Sequence, residues 1–129
     1  MIVADTSVWI DFYRGVLDDR TSRLRAAVLS GNLLMGDLIV CEILQGVPDE
    51  AEAVRVTQRL ETLPMAPMVG RQVAATAATN YHILRRQGVT VRKTIDLLIG
   101  TFCILNGHRL LHNDRDFAPM VQHLGLTEA

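Results

Sequence analysis

The chain has 129 residues, of which 49% are hydrophobic and 21% charged, with 13 Lys and Arg against 14 Asp and Glu. This length predicts one domain over residues 1–129 with a substantial hydrophobic core, and the composition excludes an intrinsically disordered chain. The formal net charge of -1 argues against a bulk polycation of the histone kind, although a basic rim around an acidic pocket is compatible with near-neutrality.

Nothing in the sequence predicts export or insertion into a membrane. Asp5 follows the start too closely for a signal peptide, and the uncharged runs 72–84 and 97–108 are shorter than the roughly 18–20 residues that span a bilayer. Cys41 and Cys103 lie in apolar runs without metal-ligand spacing, which fits a reducing compartment. We therefore expect a cytoplasmic protein without a membrane partner.

Apolar runs and capping residues predict short strands that alternate with helices. In the first half of the chain we expect a strand at 2–4, helices at 8–14 and about 18–30, a strand at 33–35 and a helix at 37–45. In the second half we expect a helix at about 48–63, an extended stretch at 64–68, helices at 69–87 and 94–105, a strand at 109–112 and a short helix from 114. This alternation indicates an α/β fold, in which helices cover both faces of a parallel sheet.

Acidic residues follow the first and the last predicted strands. Asp5 comes directly after the first strand, and Asp114, with Asp116 beside it, comes after the last. In open parallel sheets, ligand crevices form at the carboxyl ends of the strands, so we expect these side chains to converge. Aspartate is also a favoured helix N-cap, and capping is an alternative explanation for each of them.

Two further acids lie inside apolar helices. Glu42 stands in Leu38–Leu44 with apolar neighbours on almost every side, and the sequence offers no Lys or Arg between residues 25 and 55 to pair with it. A charge in such surroundings is costly unless it is paired or bound to metal, although a solvated stripe through the helix is an alternative. Asp96 stands among Ile95, Leu97 and Leu98, where a crevice and a favourable helix-dipole position are both reasonable explanations.

A cluster of these carboxylates would require a cation. Two carboxylates about 4 Å apart repel by roughly 4 kcal/mol at an effective dielectric constant near 20, so several together favour protonation or a divalent metal. Oxygen ligands without a His or Cys cluster favour Mg²⁺ or Mn²⁺, and carboxylate sites of this kind hydrolyse phosphodiesters. Thr6 and Ser7 are candidates to hydrogen-bond a ligand carboxylate or the scissile phosphate, with helix initiation as the alternative.

Four motifs in order resemble those of PIN-domain ribonucleases. They are Asp5-Thr6-Ser7 after a strand, the apolar-helix glutamate in 41–46, the third acid in 92–99, and the fourth in 110–117. None of these motifs is specific alone, but their order and spacing over residues 2–124 are. The short chain is most similar to the VapC-type toxins of toxin–antitoxin pairs.

The resemblance implies a PIN-like three-layer α/β/α sandwich with a short parallel sheet of four to five strands. It also implies a catalytic metal site at Asp5, Glu42, Asp96 and Asp114, with Asp116 as an accessory acid. The expected metal is Mg²⁺, with Mn²⁺ able to replace it. The expected activity is that of an endoribonuclease that cuts a tRNA or rRNA loop, forms a homodimer and is inhibited by a cognate antitoxin.

Two surfaces are candidates for contacts with these partners. The cations that we expect to contact RNA phosphates are Arg14, Arg92 and Lys93. Side chains of the first two helices either line a groove for an amphipathic antitoxin helix or pack in the core; they are Trp9, Phe12, Tyr13, Leu24 and Val28.

Several other functions compete with this interpretation. An aspartyl phosphatase also places Asp after its first strand, but it needs a second Asp two residues later, where this chain has Ser7. A phospho-receiver domain needs a lysine after a late strand, whereas the only lysine, Lys93, precedes a helix. A degenerate PIN domain that only binds a partner and a housekeeping RNA-processing nuclease remain as alternatives.

Overall fold

Helices and short strands alternate along the computed structural model, which describes residues 1–129. The strands are β1 (Ile2–Ala4), β2 (Met35–Gly36), β3 (Met65–Ala66) and β4 (Arg109–Leu111). The α-helices are α1 (Thr6–Tyr13), α2 (Asp19–Leu29), α3 (Asp37–Gln45), α4 (Glu50–Leu60), α5 (Gly70–Arg86), α6 (Thr94–Asn106) and α7 (Ala118–Leu124). A single 3₁₀ turn, Arg115–Phe117, leads into α7. Every predicted element is present, and the predicted ends differ from these by a few residues.

The strands form one small parallel sheet. β1 pairs with β4 and β2 pairs with β3, both in parallel. A parallel bridge from Ile2 to Leu33 joins the two pairs, and another from Leu110 to Glu128 adds a fifth strand position. The order is therefore β3, β2, β1, β4 and the C-terminal segment, with β1 at the centre. The predicted sheet of four to five parallel strands is confirmed, and the C-terminal bridge was not predicted.

One hydrophobic core of 25 buried residues holds these elements together. The middle strands contribute side chains that are almost fully buried, such as Val3 and Leu110, and α6 contributes Ile99 and Cys103. Burying each large aliphatic side chain contributes about 1.5–3 kcal/mol. Because the core fixes the sheet, the residues that follow β1 and β4 are held close together at the same edge. None of the helices combines the length and the apolar character needed to cross a lipid bilayer.

Gly36, at the end of β2, leaves no room for a side chain. A Cβ atom there would lie 2.8 Å from Cγ of Met68 and would also overlap its sulfur, and Met68 is fully buried. We expect Gly36→Ala to lower the free energy of unfolding by about 1–3 kcal/mol, because the core must shift to accommodate the methyl group. Urea unfolding measures this loss. Gly46→Ala is the control, since its Cβ would meet no atom closer than 3.4 Å; equal losses in the two variants would contradict the steric explanation.

Candidate metal centre

Asp5 joins β1 to α1 and points into the edge of the sheet. Its backbone N–H donates to the carbonyl of Leu111 at 2.8 Å, which continues the pairing with β4. Its Oδ2 accepts hydrogen bonds from the N–H of Ser7 at 3.0 Å and from the Ser7 hydroxyl at 2.6 Å. The residue is only 4% exposed. Asp5 is thus the N-cap of α1 and, at the same time, a buried carboxylate at the carboxyl end of the central strand.

Glu42, on α3, faces the start of α1. The hydroxyl of Thr6 donates to Oε1 of Glu42 at 2.8 Å. Burial raises the pKa of Glu42; the hydrogen bond from Thr6 opposes this rise, and the negative charge of Asp5 adds to it. Glu42 has no Lys or Arg nearby in the sequence, and the hydroxyl of Thr6 takes the place of such a partner in part.

Asp96 lies in the first turn of α6 and is only 7% exposed. Its Oδ2 is buried and has no hydrogen-bond partner. Burial raises the pKa of Asp96 to about 6, against the opposing effect of Lys93. The negative charges of Asp5, Asp114 and Glu42 raise it further. The structure therefore brings the four predicted acids within electrostatic reach of one another.

Asp114 follows β4 and caps the 3₁₀ turn. Its Oδ1 accepts a hydrogen bond from the N–H of Asp116 at 2.9 Å. Burial raises the pKa of Asp114, but the hydrogen bonds from Asp116 and Lys93 outweigh this effect, so the net change is downward. Asp114 is therefore a cap that stays ionised and available as a ligand.

Three of the acids form a compact group. One carboxylate oxygen from each of Asp96, Asp114 and Asp116 lies within 4.8 Å of the others. Asp5 and Glu42 do not join this group, and they act on it through their charge. Oxygen-only donors, with a buried Asp96 oxygen that lacks a hydrogen bond, fit a divalent metal ion. Asp116, expected to be accessory, thus belongs to the same compact group as Asp96 and Asp114.

Two predicted RNA-binding cations lie against this group. Nζ of Lys93 is 3.1 Å from Oδ2 of Asp114, 3.6 Å from Oδ2 of Asp96 and 3.8 Å from Oδ2 of Asp116. Arg92 donates from Nη2 to both oxygens of Asp116, at 2.8 and 3.1 Å. The lysine ammonium thus neutralises part of the cluster, and contact of these cations with RNA stays a prediction.

The remaining predicted contact residues lie on α1 and its neighbours. Arg14 is exposed and lines, with Glu42, a cavity of about 290 Å³ between α1, α3 and α4. The five predicted groove residues of α1 and α2 line another hollow of about 230 Å³, where Arg25 and Arg59 also lie. Trp9 and Leu24 are buried there. Core packing and a groove, which the sequence offered as alternatives, therefore occur together.

Two residues that the sequence analysis did not select position the end of β4. The N–H of Asn113 donates to the Ser7 hydroxyl at 3.0 Å, so Ser7 connects the ends of β1 and β4. Nδ1 of His112 accepts from the N–H of Asp114 at 3.2 Å. Their position directly before Asp114 was the only sequence signal for this function.

The profile of the PIN domain family matches residues 2–120. The chain belongs to the PIN domain family. It is 30% identical to Ribonuclease VapC11 from Mycobacterium tuberculosis over 131 aligned residues, which cover 100% of this chain and 98% of the relative. A VapC ribonuclease from Mycobacterium bovis matches with the same identity and coverage. The predicted resemblance to PIN-domain proteins of the VapC type is confirmed.

Solved structures show the same fold for this PIN domain. VapBC2 from Rickettsia felis bound to a DNA fragment from the promoter superimposes with a TM-score of 0.78 at 15% identity, covering 100% of this chain and 98% of the other. FitAcB from Neisseria gonorrhoeae superimposes with a TM-score of 0.75 at 18% identity, covering 99% and 96%. The predicted PIN-like α/β class is confirmed by these likenesses.

Proposed function

We propose that this PIN domain is a Mg²⁺- or Mn²⁺-dependent endoribonuclease that acts as the toxin of a toxin–antitoxin pair. The observation that carries the proposal is the compact group of Asp96, Asp114 and Asp116 at the edge where β1 and β4 end. Asp5 and Glu42 add negative charge beside it. The 30% sequence identity to Ribonuclease VapC11, which extends over the whole chain, supports RNA as the substrate.

The carboxylates of this site would hold the metal through oxygen. Asp96, Asp114 and Asp116 lie close enough to share one ion, and Asp5 and Glu42, outside that compact group, are the further proposed ligands. When bound, the ion would act as a Lewis acid, which would activate water and neutralise negative charge on the phosphate. Lys93 and Arg92 are the cations of the protein that contact these carboxylates.

The hydroxyl groups near the site orient its acids. Thr6 fixes one oxygen of Glu42, and Ser7 fixes one oxygen of Asp5, so both carboxylates keep a second oxygen for the ion or the attacking water. Lys93 and Arg92 contact acids in this structure, and we propose that they turn to the phosphates when RNA binds. Arg14 lies at the rim of the cavity beside Glu42, where the bound RNA strand would continue.

The proposed partners follow from the fold relatives and from one apolar hollow. VapBC2 from Rickettsia felis is among the solved structures with this fold, and we propose that a cognate antitoxin binds this chain. The hollow around Trp9, Phe12 and Leu24 has the apolar lining that an amphipathic antitoxin helix requires, with Arg25 beside it. We further propose that residues 1–129 act as one unit, that the protein is a cytoplasmic homodimer, and that its target is a tRNA or rRNA loop.

The decisive test is cleavage by the purified protein. We expect cleavage of single-stranded or loop RNA with Mg²⁺ or Mn²⁺ and none with EDTA. Asp5→Asn should abolish it, while Asp19→Asn, on the exposed surface of α2, should not. Failure to cleave any RNA in total cellular RNA would favour the degenerate, partner-binding alternative. Growth arrest on expression, relieved by the product of a neighbouring reading frame, would separate a toxin from a housekeeping nuclease.

Ser7 provides a test of how the site is positioned. We expect Ser7→Ala to weaken metal affinity or cleavage by about 10- to 100-fold, because it removes the hydroxyl that holds Asp5 and the N–H of Asn113. Ser7→Thr keeps the hydroxyl and should restore most of the loss. Titration of Mn²⁺ into the protein, followed by cleavage kinetics, measures both effects. Ser22→Ala, exposed on α2, is the control; an equal loss there would contradict the positioning function.

A further inference from the structure

A cavity of about 380 Å³ opens directly beside the acidic group. It lies between the end of α5, the segment 89–93, the first turn of α6 and the start of α7. Asp96 and Asp116 form one of its walls, so the cavity and the proposed metal site share side chains. Any molecule that reaches the acids therefore also meets this cavity.

The walls of the cavity differ sharply in chemistry. Its floor is apolar and is built from buried side chains of Leu84, Leu97 and Met120. Its rim carries the cations of Arg92, Lys93 and Arg115. The cavity thus has an apolar surface on which a flat, uncharged group can pack, and positive charge that can bind a phosphate attached to that group.

We infer that this cavity binds the nucleobase of the nucleotide next to the scissile phosphate, an inference that rests on the proposed ribonuclease function. Proteins that bind unpaired RNA place splayed-out bases on apolar or guanidinium surfaces, while cations contact the backbone. The volume lies in the range of small-ligand pockets, about 300–1,000 Å³. A phosphate without a base would leave the apolar floor without a ligand, and a base would find no complementary surface among the acids.

The position of the cavity makes the base a determinant of the cleavage site. The acids act on one phosphate, and a base in the cavity fixes which nucleotide flanks that phosphate. The guanidinium group of Arg115 is exposed at the rim and can stack on the base, and Thr90 places a hydroxyl at the same rim. Base identity next to the cut should therefore affect kcat/KM.

Filling the cavity from its mouth tests this inference without altering the core. Ala118 is exposed at the start of α7 and lines the cavity, so Ala118→Trp puts an indole where the base would lie. We expect kcat/KM on a short single-stranded RNA to fall by about tenfold or more, in line with the energy of one stacked base. Ala26→Trp, exposed on α2 away from the cavity, is the matched control and should retain the wild-type value. Wild-type kcat/KM and cut-site preference in Ala118→Trp would overturn the inference.

A binding measurement separates this inference from catalysis. In ¹H–¹⁵N spectra without added metal, we expect the four nucleoside 5′-monophosphates to shift the amide signals of Val89, Val91 and Met120. Ribose 5-phosphate, which has no base, should leave these signals in place, and Ala118→Trp should suppress the shifts. Equal shifts from ribose 5-phosphate, or none from any nucleotide, would overturn the base pocket. If the wild type cuts no RNA, the proposed function fails, while these spectra still decide whether a base binds.

Discussion

Asp96→Asn is expected to lower RNA cleavage by about a thousandfold or more and, in the absence of metal, to make the folded protein more stable. The loss follows because an amide lacks the charge of a carboxylate, and charge on the ligands is what holds a divalent ion and orients its water. The gain follows because the amide removes a buried negative charge from beside those of Asp5, Asp114 and Glu42. The two effects have opposite signs, which an ordinary structural aspartate would not show.

The pH dependence of stability gives the sharper form of this prediction. Burial raises the pKa of Asp96 to about 6 in the folded protein, above its ordinary value of 3.8. The folded state therefore holds this proton more tightly than the unfolded state, and the protein loses stability as the pH rises from about 4 to about 6. Above that window the loss is complete and amounts to about 2–3 kcal/mol for a shift of this size.

Urea unfolding of the metal-free wild type and of Asp96→Asn measures this difference. The two proteins should have similar stability below about pH 3, where Asp96 is protonated in both the folded and the unfolded wild type, and should diverge as the pH rises from about 4 to about 6. Added Mg²⁺ should then stabilise the wild type and leave the variant unchanged. Parallel pH profiles for the two proteins would contradict the raised pKa, and Asp19→Asn serves as the exposed control.

Helix capping and metal binding, which the sequence offered as alternatives for Asp5 and Asp114, are both compatible with the structure. Asp5 caps α1 through Oδ2 alone, and Asp114 caps the 3₁₀ turn through Oδ1. A cap needs one carboxylate oxygen, so the other oxygen of Asp5 stays available for a ligand, and the other oxygen of Asp114 contacts Lys93. The sequence could not separate capping from metal binding because the two functions do not exclude one another.

The parts of the site that the sequence predicted are those set by the chain's local pattern. Asp5 and Asp114 could be placed because strand ends in a parallel sheet meet at one edge, and Glu42 and Asp96 because a charge among apolar neighbours needs an explanation. The position of Asp116 depends instead on the 3₁₀ turn that carries it, and no local pattern specifies that turn. The sequence could show that acids were present, but not which of them are closest.

The C-terminal strand position and the salt bridges near the site could not be predicted either, because no local sequence pattern specifies them. Glu128 joins the sheet through a single bridge, which leaves no alternating pattern in the sequence. Arg92 and Lys93 were predicted to contact RNA phosphates, yet their pairing with Asp116 and Asp114 depends on how the loop before α6 packs against the 3₁₀ turn. Such contacts join residues more than twenty positions apart and are set by tertiary structure.

Lys93→Met is expected to strengthen metal binding while it weakens binding of RNA. Nζ of Lys93 lies within 3.8 Å of all three acids of the compact group, so an incoming ion must displace a positive charge from the oxygens that it needs. The contacts with Asp114 and Asp96 raise the pKa of Lys93, which therefore keeps its charge at neutral pH. Methionine has similar length and no charge, so it removes this competition and leaves the stem in place.

Calorimetric titration with Mg²⁺ should give a dissociation constant about tenfold lower for Lys93→Met than for the wild type, which corresponds to about 1.4 kcal/mol. The figure is modest because the lysine is half exposed and solvent screens its ion pairs. At saturating Mg²⁺ the variant should show a higher KM for RNA, since the displaced lysine is the proposed contact to phosphate. Arg55→Met, exposed on α4 and without an acidic partner, is the control. Weaker Mg²⁺ binding in Lys93→Met would show instead that the lysine holds the acids in place for the ion, because removing it would then let their mutual repulsion spread the group apart.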